Sequence, residues 1–384
     1  MRNELKKALE QVAKARRIPT EGLSDIELFQ RVTGINAATE EFIDEVEFPD
    51  WYVPGGIVRQ ETKDDSTTET DDIENAIGTK DPDEIAKYDK DGDGTITEND
   101  VKAQSYIETF EEPVTVTSAA DLSAIETPAE ADVIVTNEES MKALTTGTTY
   151  KTLTLVGGKL DSTTVKLNAN EKLTLDGVEI SGEKGETNGK VNYSAPEVEF
   201  KNIKVENGST VYNVFEGSQV TNDPNYTGLE KMTVENVEID NPSLTHNVVN
   251  VYTPANDAVI TIKDSKFNLT VDTSNALRLS NYLNSDNVTV NFENVEWTYE
   301  NGVTADDWKW AGLVIYQPAG KDVALTGDLT HINTWTFNFK NCKYNGVKVT
   351  ANNFGEHNQV GYTYNVNKSN AVADLSEAAT FNFA

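Results

Sequence analysis

The sequence predicts a mainly β chain: a solenoid of short stacked strands, preceded by short N-terminal helices and one helix-loop-helix. Three observations carry this. An eight-residue pattern with a period of two recurs through the second half of the chain. Asparagine crowds the same half, with 29 of 38 in residues 201–384. A twelve-residue acidic loop with glycine at its sixth position stands ahead of it.

The repeat reads LTLDGVEI (173–180), VEFKNIKV (198–205), MTVENVEI (232–239), ITIKDSKF (260–267), VNFENVEW (290–297) and FNFKNCKY (337–344), with a weaker copy, LTLVGGKL, from Leu153. Positions 1 and 3 are apolar and point inward from a short strand. Position 5 is Asn, Asp or Gly, residues that take the left-handed conformation a sharp bend requires. Position 8 is apolar again and points inward from the next strand. Stacking puts Asn202, Asn236, Asp264, Asn294 and Asn341 above one another, where their side chains can satisfy backbone groups exposed by the bend. A further short strand recurs between copies: VYNVF (211–215), VNVY (249–252), LRLS (277–280) and LVIY (313–316). This organisation resembles the right-handed parallel β-helix of the pectate-lyase-like superfamily and of phage tailspikes over about residues 150–350. The β domain is expected over 113–384.

Residues 89–100, DKDGDGTITEND, place Asp89, Asp91 and Asp93 at loop positions 1, 3 and 5 and Gly94 at the turn. Thr95 offers its carbonyl at position 7, Ile96 is the apolar residue at position 8, and Thr97 stands at position 9. Three alternating carboxylates repel one another unless a cation gathers them, so the pattern predicts Ca²⁺. Asp100 fills position 12, where an EF-hand usually has a bidentate Glu, and dockerin-type loops resemble this one in ending with Asp. The helix-loop-helix is expected over 81–112, from DPDEIAKY (81–88) and ENDVKAQSYIETF (98–110). No second loop is available to pair with it, so the ion is expected to act as a structural clip.

Residues 1–55 read as a helical anchor. Leu5, Ala8, Leu9, Val12 and Ala13 form an apolar stripe amid six bases and two acids, and Ser24 with Glu27 caps a second helix ended by Gly34. Residues 56–80 read as a flexible acidic linker, since ETKDDSTTETDD (61–72) has no aliphatic or aromatic residue.

Charge and composition narrow the function. With 32 Lys+Arg against 64 Asp+Glu the chain carries −32, which disfavours nucleic acid and anionic membrane surfaces. A lone Cys342 excludes a disulfide framework or a Cys-rich zinc site, and no apolar run approaches the roughly 18 residues of a membrane span. The start, MRNELKKALEQ, lacks the apolar stretch of a secretory signal. Enzymes of the resembled superfamily set carboxylates on an exposed sheet. Here the outward residues of the recurring strand are expected to be Asn213, Phe215, Asn250, Tyr252, Arg278, Ser280, Val314 and Tyr316, without a carboxylate. Asp306 and Asp307 beside Trp308 and Trp310 suit contact with carbohydrate, and His246 and His357 have no partner motif.

No enzyme is therefore expected. The assembly resembles a bacteriophage virion appendage: a head fibre, decoration protein or tailspike-like adhesin. That resemblance implies release by lysis, attachment to other virion proteins through the N-terminal region, a homo-oligomer with a trimer favoured, and host-surface carbohydrate as a further partner. The alternatives are a bacterial surface adhesin, extracellular or on the cell surface, and a polysaccharide lyase or glycoside hydrolase on the same scaffold.

Overall fold

A computed structural model describes residues 69–384, apart from 145–146, 162–165, 182–190, 206–212, 219–226, 241–246, 270–274, 282, 300–311, 317–330, 358, 363–369 and 372–378. The chain divides after Thr68 into two units. The anchor expected over 1–55 and most of the linker lie outside the described residues. The remainder of that linker is no linker: Glu69–Ala76 is a helix, α1, with Ile73 and Ala76 buried. Acidic residues in its first turn favour a helix start, and Ile73 supplies the apolar contact that 61–72 lacks as a group.

The other described helices are α2 (Pro82–Tyr88), α3 (Glu98–Ile107), α4 (Ala119–Ala124), α5 (Glu138–Ala143) and α6 (Ala351–His357). Apart from two 3-10 turns, Pro128–Glu130 and Ile332–Thr334, everything else regular among the described residues is β. Among the described residues one sheet of 17 strands and another of 8 form, and parallel pairing dominates both.

The repeats build these sheets. Positions 1 to 4 of each copy pair in parallel with the same positions of the next, as in Val198↔Met232, Met232↔Ile260, Ile260↔Val290 and Val290↔Phe337. Positions 7 and 8 pair likewise in the smaller sheet, as in Ile239↔Phe267↔Trp297↔Tyr344. Positions 1, 3 and 8 are buried throughout, as expected. Position 6 is buried too, through Val178, Ile203, Val237, Ser265, Val295 and Cys342, because it stands two residues before position 8 and points to the same side. Two further strands join the stack: Asp132–Val135 against 152–155, and Thr380–Phe383 against 336–339.

Every described position 5 is left-handed: Gly157 at φ 61°, Gly177 at 71°, Asn202 at 54°, Asn236 at 52°, Asp264 at 50°, Asn294 at 53° and Asn341 at 53°. Each of these bends gives its N–H to a carbonyl of the next repeat, for example Asn202 to Glu235 at 3.0 Å and Asp264 to Glu293 at 2.9 Å. The side chains bridge as well. Asn202 donates to Asp176 (2.7 Å), Asn236 to Asn202 (2.6 Å), Asn294 to Asp264 (2.7 Å) and Asn341 to Asn294 (3.3 Å). Inside, aromatic rings stack in columns, Phe292 on Phe339 at 4.9 Å and Phe339 on Phe383 at 5.3 Å. α6 closes on that column, with Phe354 against Phe339, Phe381 and Phe383.

Candidate metal centre

The loop is framed by α2 and α3, and each boundary follows from local chemistry. Asp81 caps α2 by accepting from the Asp83 N–H at 3.0 Å, and Pro82 occupies its first turn, where a missing N–H costs nothing. Thr97 caps α3 in a reciprocal box with Asp100. Between them Gly92 and Gly94 take φ 75° and 87°, so the chain folds tightly around its own carboxylates. Asp89 accepts from the Gly92 and Gly94 N–H groups at 2.7 Å each. Asp93 accepts from the Thr95 N–H at 2.8 Å and its hydroxyl at 2.6 Å.

The fold brings together three of the five residues expected to hold the ion. One carboxylate oxygen from each of Asp89, Asp91 and Asp93 lies within 4.8 Å of the others. Burial, with repulsion from Asp100 and Asp93, pushes the Asp91 carboxyl up to about 7 despite the hydrogen bond from the Asp93 backbone. Such a donor set, hard oxygens held in a loop with excess negative charge, fits a Ca²⁺-sized ion. Thr95 sits at the expected place in the loop.

Asp100 stands at the end of the loop. It is fully buried, and its Oδ1 accepts from Lys90 N–H at 2.5 Å and Asp91 N–H at 3.3 Å, while Oδ2 accepts from Thr97 N–H at 2.7 Å. The short side chain thus ties the start of the loop to its end.

α1 completes the unit in place of a second loop. Ile73, Ala76, Tyr88 and Ile96 form a small core with Ile85 and Val101, and Gly78 donates its N–H to the Ile96 carbonyl at 3.3 Å. The other side of α3 covers the first β strands, where Ala103, Tyr106, Ile107 and Phe110 meet Ile134 and Val156. Thr136 donates to the Lys90 carbonyl at 2.8 Å and Asn137 to that of Asp91 at 3.2 Å. Tyr106 donates to Asp176 at 3.0 Å; burial, with that carboxylate, pushes its phenol well above the usual range. Sequence reasoning missed Thr136 and Asn137. Only their place after a β strand and before α5 hinted at a role.

Comparison with protein-family models, curated proteins and solved structures finds no match.

The recurring strand needs one correction. Phe215 is not outward: it pairs with Val249, is fully buried, and stacks on Phe200 at 3.9 Å. Glu216 takes that place, in register with Asn250 and then Arg278, but it is itself buried and accepts from the Asn213 amide. The face does hold a carboxylate, because pairing of Phe215 with Val249 turns the phenylalanine inward and leaves the next residue facing the other way. The Asn250 carboxamide and Ser280 hydroxyl are buried without hydrogen-bond partners, while Arg278 lies 6.0 Å from the Tyr252 ring centre. Asp306, Asp307, Trp308, Trp310 and His246 lie outside the described residues, as does the side chain of His357.

A groove of ≈ 640 Å³ runs beside α3 along the bends at Gly177, Asn202 and Asn236. Its lining balances Lys102, Lys159 and Lys204 against Glu138, Glu179 and Glu238, so charge selects no ligand there. No helix among the described residues is long and apolar enough to cross a membrane.

Proposed function

We propose that this protein is a structural component of a bacteriophage virion, a head fibre, decoration protein or tailspike-like appendage, and not an enzyme. Its body is a right-handed parallel β-helix serving as a stiff shaft. Residues 1–55 attach it to other virion proteins, and it assembles as a homo-oligomer, with a trimer favoured. One observation carries the reading: a stack of repeats in parallel register, clamped at one flank by a single cation-type loop. Each element of that arrangement supports rigidity, and the start of the loop is tied to the body through the Lys90 and Asp91 carbonyls, as a clip would be. Ca²⁺ would be held by Asp89, Asp91 and Asp93 with the Thr95 carbonyl, and Asp100 would close the loop. The bound ion supplies positive charge that relieves the repulsion among these acids.

The test is assembly. Immunogold electron microscopy of a lysate should place the protein on particles, and deletion of residues 1–34 should yield folded protein that no longer incorporates. Particles without label, or normal incorporation of the truncated chain, would defeat the reading.

A second reading, an adhesin or polysaccharide-active protein, has one observation in its favour. The Asn250 amide, buried without a partner between Glu216 and Arg278 in register, leaves a donor and an acceptor that a sugar hydroxyl would satisfy if the face opened to it. Glycan-array binding lost in Asn250→Ala, or polysaccharide cleavage lost in Glu216→Gln, would favour it.

A further inference from the structure

The repeats carry an ordered pattern of charge beside the bends. Positions 4 and 7 of successive copies are Asp176 and Glu179, Lys201 and Lys204, Glu235 and Glu238, Lys263 and Lys266, Glu293 and Glu296, then Lys340 and Lys343. Within a repeat the two charges agree in sign, and between neighbouring repeats they are opposite without exception. Register makes this a physical alternation. At position 4, Asp176 pairs with Lys201, Lys201 with Glu235, Glu235 with Lys263, Lys263 with Glu293 and Glu293 with Lys340. At position 7, Lys159 opens the same order, through Glu179, Lys204, Glu238, Lys266 and Glu296 to Lys343. Lys263 closes an ion pair with Glu235 at 2.8 Å, and Lys340 closes one with Glu293.

We propose that this alternation is a stacking code: it selects the adjacent repeat as each repeat's partner and rejects the one beyond. The code is needed because the apolar positions do not discriminate. Val198 and Phe200, Ile260 and Ile262, or Val290 and Phe292 present similar shapes, so a stack that skipped a repeat would bury nearly the same surface. Long connections between copies leave the chain room for such an error. Skipping one repeat places acid on acid or base on base in both columns. Stacking in order places opposite charges together. Single surface ion pairs stabilise little, but selection depends on the difference between right and wrong partners, and that difference repeats at every interface. The same rule acts between two chains whose repeats could interleave during folding.

The test keeps net charge constant. In the exchanged variant, Lys201→Glu and Lys204→Glu are combined with Glu235→Lys and Glu238→Lys, which creates like-charged neighbours at two interfaces. The folding equilibrium constant from urea denaturation should fall roughly fivefold or more, the size expected when a few cross-strand charge pairs turn repulsive. The yield of monomer on refolding should fall as well, and added salt should recover part of both losses. A neutral variant, with Gln at the same four positions, removes attraction without adding repulsion and should fall between the exchanged variant and the wild type. An exchanged variant that is insoluble while the neutral one refolds in reduced yield supports the code. A neutral variant that refolds as well as the wild type, or an exchanged variant with the wild-type urea midpoint, overturns it.

Discussion

Asn99, in the first turn of α3, lies so close to Gly157 that a β-carbon there would come 2.6 Å from its Cγ and Nδ2. Gly157 also sits at φ 61°, where a side chain is strained even in open space. Gly157→Ala should therefore destabilise the protein by more than the roughly 1–2 kcal/mol of left-handed strain alone. Adding Asn99→Ala should recover the steric part and leave the strain. Chemical denaturation of the two variants separates the two costs; equal stability of both single- and double-variant proteins to the wild type would show that helix and bend do not touch.

Calcium binding should depend on the carboxylates that the loop gathers. Calorimetry is expected to find one Ca²⁺ site in the wild type and none in Asp89→Ala/Asp91→Ala, because too few oxygens remain for an ion that takes six to eight. The same titration on Asp100→Asn should show weakened binding, since the amide keeps one acceptor oxygen and can no longer accept from both Lys90 and Thr97.

At the bends, Asn236→Val should cost at least the strain of a β-branched left-handed residue, roughly 1–2 kcal/mol. It also removes the hydrogen bond to Asn202. Asn236→Gly keeps the conformation and loses only that bond, so it should be the milder change in a urea melt.

Alkali should probe the ion pairs of the charged columns. The hydrogen bond from Lys263 to Glu235, and that from Lys340 to Glu293, raise both ammonium groups above their ordinary 10.5. A raised lysine stabilises the fold fully below that ordinary value and loses its contribution as pH climbs through the folded one. Relative to Lys263→Gln/Lys340→Gln, the wild type should keep a constant advantage well below pH 10.5 and lose it progressively as pH climbs beyond that value. An advantage unchanged at the alkaline end would count against the pairs.

Phe354 should matter more than any other residue of α6. It is buried against three rings of the aromatic column, and truncation to Ala should cost about 3–5 kcal/mol. Hydrogen exchange should then rise in strands 336–340 and 380–383 before it rises near residue 200.

The sequence was most legible where one residue type answers one physical demand. The bends could be placed because few side chains tolerate positive φ, and the loop because alternating Asp with Gly at the turn has few other uses. Where burial depends on a partner strand, the reading drifted. Phe215 and Glu216 could be ordered only once Val249 fixed the register. Position 6 escaped because Val, Ser and Cys share no obvious type, although all are buried. α1 is hidden in an acidic run because its anchoring side chain, Ile73, stands just beyond 61–72, the part without aliphatic or aromatic residues. The alternating charges were in plain view, but their meaning needed the knowledge that neighbouring copies pair in parallel.

The bridging amides also give the molecule a direction. Asn202, Asn236, Asn294 and Asn341 each donate toward the preceding part of the chain, as do Asn247 to Asn213, Asn268 to Asp240, Asn287 to Asp257 and Asn382 to Asn338. Aspartate can accept but not donate when ionised. Asp176, Asp240, Asp257 and Asp264 all stand where they receive such a bond from the following repeat. Asp and Asn are therefore not equivalent polar fillers here. Conversion of Asn202 or Asn294 to Asp, by mutation or by slow deamidation with age, would set carboxylate against carboxylate at 176 or 264 and reverse a donor that the next rung down relies on. The chemical lifetime of the stack is thus tied to its amides, and the damage would begin at the rungs that rest on an acid.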